Sequence, residues 1–258
     1  MDLQLRGKYF IIGGAGSGFG KAVASALVAE GAHVLVVSRT ERKLLEFKRM
    51  FPDQVELLTG DITKELVWSE IAAIAAGKNL AGVFFNAGGP PAGTFDELSL
   101  DQWDEAYFNV VRWKIGLTKL LLPQLKKQGF GRLVYLESVS VKQPVENLIL
   151  SNALRAAVVG MVKTLSQELA LTGVTANVVA PGYHDTAAMK RLFEKKAQQT
   201  GESEPVIKRQ FEKEIPVGKM GNAEDLATLV LWLFSPYSNY VTGQTITHDG
   251  GLVKGIFG

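Results

Sequence analysis

Residues Gly13–Leu27 read GGAGSGFGKAVASAL, a glycine-rich turn running into an alanine-rich helical pattern. Gly14, Gly16, Gly18 and Gly20 leave the backbone open, and Ser17 and Phe19 complete the loop between them. Backbone N–H groups at a helix start attract a pyrophosphate, and side chains there would block its approach. The loop therefore predicts a dinucleotide site. Further on, VLVVSRTERK places Ser38 and Arg39 at the end of a second apolar run. A carboxylate there would accept from a ribose 2′-OH, whereas a guanidinium pairs with a 2′-phosphate through two parallel bonds. NADP(H) is expected over NAD(H), with Arg42 and Lys43 near enough in sequence to assist.

Such a loop works only at the end of a strand that feeds a helix, and the rest of the chain has that rhythm. Apolar runs at 8–14, 32–39, 54–61, 80–88, 131–138, 174–182 and 243–251 are rich in Val, Ile and Phe, and most end in Gly, Ser or Asp. They read as strands. Between them lie stretches with helical apolar spacing, such as KAVASALVAEG and TKELVWSEIAAIAAG, with Gly31 and Gly77 as stops. Strand–helix–strand repetition implies parallel strands joined by right-handed crossovers. The expected fold is α/β: one Rossmann domain over residues 1–258, a doubly wound parallel sheet of about seven strands with helices on both faces. One segment breaks the rhythm. Residues 187–218 are helical and highly charged, with no strand pattern. They follow the sixth strand, where a ligand crevice would open, and read as a substrate lid.

Composition narrows the chemistry. With 258 residues and 47% hydrophobic content, the chain can bury a sizeable core. A formal net charge of +2 gives no electrostatic reason to expect nucleic acid or an anionic membrane as partner. There are no cysteines, which excludes disulfides and thiolate chemistry. His33, His184 and His248 lack metal-ligand spacing, so no metal is expected. The start MDLQLRGKYFIIGG lacks the pattern of a signal peptide, and no apolar run is long enough to span a bilayer. A cytoplasmic location is expected.

The spacing Gly14–x3–Gly18–x–Gly20 resembles the TGxxxGxG loop of the short-chain dehydrogenase/reductase superfamily, above all its ketoacyl-carrier-protein reductase-like members. Gly13 stands at the threonine position. The resemblance covers nearly the whole chain. It implies that Asp61 and Ile62, in TGDIT, meet the adenine; Asp61 also reads as a helix N-cap. FNAG is similar to the family's NNAG, which implies that Asn86, Ala87 and Gly88 line the adenosine-ribose side. PGYHDT is similar to PGxxxT, which implies that Pro181, Gly182, His184 and Thr186 wrap the nicotinamide carboxamide.

The resemblance also implies four catalytic positions: asparagine, serine, tyrosine and lysine. Ser138, at the end of the fifth strand, matches the serine that polarises a carbonyl. Ungapped counting from Trp103 or Pro123 puts Val110 at the asparagine. Asn109 is one residue early and would point elsewhere unless the helix is locally rewound, since one residue is about 100° of rotation. The tyrosine and lysine positions, i and i+4 on one helix face, carry Ser151 and Arg155. Arg155 can still donate to ribose hydroxyls. Ser151 is a far weaker acid than a phenol and can at most donate or relay. SNALR (Ser151–Arg155) with a GGPP loop (Gly88–Pro91) is similar to a minor branch of the ketoacyl reductase-like group, which implies an alternative active site. Lys142, just past Ser138, is the first substitute proton donor, Tyr183 the second and His184 the third. Asn152 would orient a water or serve the local helix surface.

The resemblance implies an NADP(H)-dependent oxidoreductase acting on a small-molecule carbonyl or secondary alcohol, with 3-oxoacyl thioesters among the substrates, and a non-standard proton donor. The alternative is a non-catalytic NADP(H)-binding sensor or scaffold. A homotetramer is expected from the family, with a dimer as second choice.

Overall fold

Tyr9–Gly13 (β1) is buried along its whole length, and its side chains alternate between two apolar layers. Phe10 and Ile12 join one layer; Tyr9 and Ile11 join the other. A parallel strand covered on both faces requires this unbroken apolar run. Leu80–Phe85 (β4), Gly131–Leu136 (β5) and Val174–Pro181 (β6) are likewise buried throughout. With His33–Ser38 (β2), Val55–Thr59 (β3) and Thr245–His248 (β7), these are, among the described residues, a seven-stranded sheet in the order β3-β2-β1-β4-β5-β6-β7. Every neighbouring pair is parallel. The computed structural model describes residues 1–256, residues 188 and 195 by their backbone only.

Gly18–Ala29 (α1), Glu41–Met50 (α2) and Ala223–Phe234 (α9) cover the Phe10 face. Glu65–Ala75 (α3), Trp113–Gln128 (α5) and Ile149–Glu168 (α6) cover the Tyr9 face. The aromatic centre of that layer is Phe85, stacked on Tyr135 with ring centroids 4.2 Å apart. Strand order reverses between β1 and β4, so the loops leaving their carboxyl ends part and open a crevice. Ala187–Thr200 (α7) and Glu204–Glu214 (α8) follow β6, as the charged segment 187–218 suggests.

One helix departs from its sequence pattern. Residues 99–127 suggest a single unbroken helix, but Leu100–Tyr107 (α4) is joined to α5 by a π turn at Phe108–Arg112. A π turn inserts a residue and shifts the helical phase. The Trp113 indole N–H donates to the Asn109 carbonyl at 3.1 Å, which satisfies an acceptor in the widened turn. Val110 is thereby buried, and Asn109 borders the crevice.

The glycine loop meets its helix at close quarters. A Cβ on Gly20 would lie 2.4 Å from the Gly14 carbonyl oxygen and 2.6 Å from that of Gly13. Backbone cannot give way as a flexible side chain would. Gly20→Ala is therefore expected to lower unfolding free energy by about 1–3 kcal/mol, read as a lower urea midpoint. An unchanged midpoint would contradict this packing.

Candidate active site

A cleft of about 800 Å³ opens at the carboxyl ends of the strands, the size of an organic ligand site. Gly14, Gly16, Ser17, Gly18 and Phe19 form its floor after β1. Ser38, Arg39, Thr40 and Lys43 line the end next to β2. Asp61 and Ile62 after β3, then Asn86, Ala87, Gly88 and Gly89 after β4, continue the wall. The far end holds Leu136, Glu137, Arg155, Asn109, Pro181, Thr186 and Arg191.

The floor suits a dinucleotide pyrophosphate. Gly14 has φ +61° and Gly18 has φ +54°, backbone that favours glycine. A Cβ on Gly16 would sit 2.6 Å from the Ser38 hydroxyl. The Asn86 amide donates to the Gly13 carbonyl at 3.1 Å, tying β4 to β1 beneath the loop. Arg39 and Lys43 supply two cations beside Ser38, and Asp61, after the neighbouring strand β3, is a carboxylate on the adjoining wall. Arg42 instead pairs with Glu46 on the exposed side of α2. Asp61 accepts from the backbone N–H and the hydroxyl of Thr63. It thus closes the turn after β3, while α3 is capped by Lys64.

The four catalytic positions are arranged unevenly. Ser138 caps a short turn at Val139–Val141 and accepts from the Ser140 N–H at 3.2 Å. Neither Ser138 nor Lys142 is among the residues that line the cleft. Lys142 ends that turn. Ser151 is buried; its oxygen accepts from Arg155 Nε at 3.0 Å and lies 3.3 Å from the Ser140 hydroxyl. Either hydroxyl can donate in that contact. Arg155 also donates through NH1 to Glu137 at 2.9 Å. The other Glu137 oxygen accepts from Lys114, on α5. Burial pulls the Lys114 ammonium below the ordinary lysine range, against the opposing pull of Glu137. Asn152 exchanges two bonds with the Val145 backbone, so it serves the loop before α6.

Glu137 and Lys114 are the residues that sequence reasoning missed. Two signals were present. Glu137 is a carboxylate in the otherwise apolar GRLVYLES, and Lys114 shares a helix face with Thr118, Leu121 and Leu125.

Tyr183 turns to α8. Its hydroxyl donates to Glu214 on α8 at 3.2 Å, and its ring packs edge-on against Phe211. Burial, and then the Glu214 charge, push its phenol up to about 12. Phe193, Ile207, Ile215 and Met220 form a small separate core around α7 and α8, with Tyr183, Met189 and Phe211 against it; Leu192 is exposed. Thr186 accepts from the Met189 N–H and caps α7. His184 is buried between elements: Nδ1 meets the Gly182 carbonyl at 3.0 Å, Nε2 meets His248 Nδ1 at 2.8 Å, and the ring edge contacts Phe19. Burial, its largest influence, lowers its pKa. Gly182 packs against Asp249. Together these contacts tie β7 and the segment after β6 to the glycine loop.

Residues 14–253 match the family described as enoyl-(acyl carrier protein) reductase. Dehydrogenase/reductase SDR family member 6 of Rattus norvegicus is 30% identical over 250 residues, 96% of this chain and 98% of that protein. The 3-oxoacyl-(acyl-carrier-protein) reductase FabG of Thermotoga maritima is 31% identical over 257 residues, 97% of this chain and 100% of that protein. A solved structure of actinorhodin polyketide ketoreductase with NADPH has a TM-score of 0.89 and 27% identity, covering 96% of this chain and 98% of that one.

The His184 environment makes a pH prediction. Its folded pKa lies below the ordinary 6.5, so the unfolded chain takes up a proton first as pH falls. Stability held above pH 6.5 is lost as pH drops from there toward the lowered folded value. The melting temperature should fall between about pH 7 and about pH 5, and His184→Gln should flatten that slope. An equal slope in the variant would contradict this assignment.

Proposed function

Because the chain belongs to the short-chain dehydrogenase/reductase family, we propose that it is an NADP(H)-dependent oxidoreductase acting on a carbonyl or secondary alcohol. The observation that carries this reading is the cleft at the strand-order reversal, floored by glycines and closed at one end by Arg39 and Lys43. The 3-oxoacyl reductase and the polyketide ketoreductase among its relatives favour a β-ketoacyl or similar carbonyl substrate.

When bound, the cofactor supplies or accepts hydride at its nicotinamide. The protein's own residues do the rest. The glycine loop holds the pyrophosphate by backbone N–H groups. Arg39 and Lys43 pair with the 2′-phosphate. Arg155 presents its remaining N–H groups to the ribose. Ser138 donates to the substrate oxygen where negative charge develops. Lys142, on the turn that Ser138 caps, delivers the proton that a tyrosine delivers elsewhere in the family. Tyr183 is engaged by Glu214 and stands apart from this step.

Exposed Phe95, Leu100, Tyr107, Phe108 and Leu120, with the exposed small residues Ala153, Ala156, Ala157 and Gly160 of α6, support assembly as a homotetramer through these helices.

A second reading, an NADP(H)-binding sensor, is favoured by one observation: Ser151 is buried 3.3 Å from the Ser140 hydroxyl, and no tyrosine is among the described residues that line the cleft. Turnover separates the two. NADPH should bind more tightly than NADH, and Arg39→Ala should weaken NADPH by about tenfold, the equivalent of one charge-assisted bond, with NADH unaffected. Tighter NADH binding by the parent would overturn the cofactor assignment. Ser138→Ala should lower kcat by about a hundredfold or more with NADPH affinity retained. Lys142→Ala should also lower kcat, and an unaltered pH–rate profile in that variant would remove Lys142 from the proton step.

A further inference from the structure

Glu137 is a carboxylate buried completely at the end of β5. An isolated charge there would be strongly destabilising, and it persists only if both oxygens have cationic partners. Each has one. Lys114, itself buried on α5, holds Oε1. Arg155 NH1, from α6, holds Oε2 at 2.9 Å. Three elements thus meet on a single carboxylate beneath the nicotinamide end of the cleft.

The guanidinium is fixed on a second edge as well, because Arg155 Nε donates to Ser151 at 3.0 Å. A tyrosine at 151 would carry its hydroxyl to the far end of a ring and leave Nε without this acceptor. A lysine at 155 has one ammonium head and no second edge; beside Glu137 it would be drawn onto the carboxylate. The loop after β4 also leaves room for arginine: a Cβ on Gly89 would lie 3.0 Å from Arg155 NH2. The unused NH2 edge therefore lies along the Gly88–Gly89 wall of the cleft.

We propose that Glu137, anchored by Lys114, is the positioning residue for Arg155. Lys114, Glu137, Ser151 and Arg155 form one interdependent set that replaces the family's tyrosine–lysine pair, a built site and not a decayed one. Glu137 orients the guanidinium before any ligand arrives, so that its free edge meets the cofactor ribose without reorganisation. The ribose step rests on the reading that Arg155 holds NADP(H).

The test uses the full chain. Glu137→Gln alone leaves the Lys114 ammonium buried without its counter-charge, and loss of folding would obscure the result. Lys114→Met combined with Glu137→Gln removes both buried charges at similar volume and is expected to fold. Two readouts follow. In the cofactor-free protein, the Arg155 Nε–H resonance should be protected from solvent exchange in the parent, and that protection should be lost in the double variant. In titrations, the double variant should bind NADPH about tenfold more weakly, one charge-assisted hydrogen bond's worth. Adding Arg155→Ala should cost the double variant little more, because coupled residues are not additive. Retained protection together with an unchanged Kd in a folded double variant would overturn the proposal. If the parent itself fails to bind NADPH, the cofactor reading fails, and the Nε–H signal alone then decides whether Glu137 positions Arg155.

Discussion

The far end of the cleft depends on one buried carboxylate. Glu137 lies where β5 delivers its last side chain before Ser138, and two cations from different helices converge on it. Removing Glu137 would strand the Lys114 ammonium beside a layer built from Phe85, Trp113 and Tyr135, a change that costs about 3–5 kcal/mol in buried pairs. That penalty locks α5, β5 and α6 to one another. It also holds Arg155, whose Nε donates to the buried Ser151 at the family's tyrosine position.

The near end rests on a different constraint, close approach of backbone. β1 feeds α1 through a loop whose glycines leave no space for side chains at Gly16 and Gly20, and Asn86 pins that loop to β4. Because strand order reverses at this seam, the crevice is a property of the topology. Arg39 and Lys43 only add sign to it. The His184–His248 contact then fastens the segment after β6 to the same loop through Phe19.

Sequence reading reached the sheet because doubly covered strands are continuously apolar, a pattern independent of distant partners. The glycine loop and Ser38–Arg39 were legible for the same reason: their chemistry is local. What escaped depended on contacts across the chain. FNVVR is helical by composition, and nothing in it announces a π turn; the turn forms because Trp113 can satisfy the Asn109 carbonyl. That rewinding brings Asn109 to the cleft although the register count assigns Val110. Tyr183 follows Pro181–Gly182 and reads as a neighbour of the nicotinamide, yet Glu214, thirty-one residues away, draws its hydroxyl to α8. Lys114 and Glu137 each break an apolar pattern, but only folding shows that the two irregularities answer one another.

The proposed site turns on Arg155 serving the cofactor while Glu137 holds it in place. A crystal structure of the NADPH complex tests this most directly. It should show the guanidinium still paired with Glu137 and Ser151, with its free edge within hydrogen-bond distance of the nicotinamide ribose hydroxyls. A ribose held by other side chains, with Arg155 swung off Glu137 or out of reach, would contradict it.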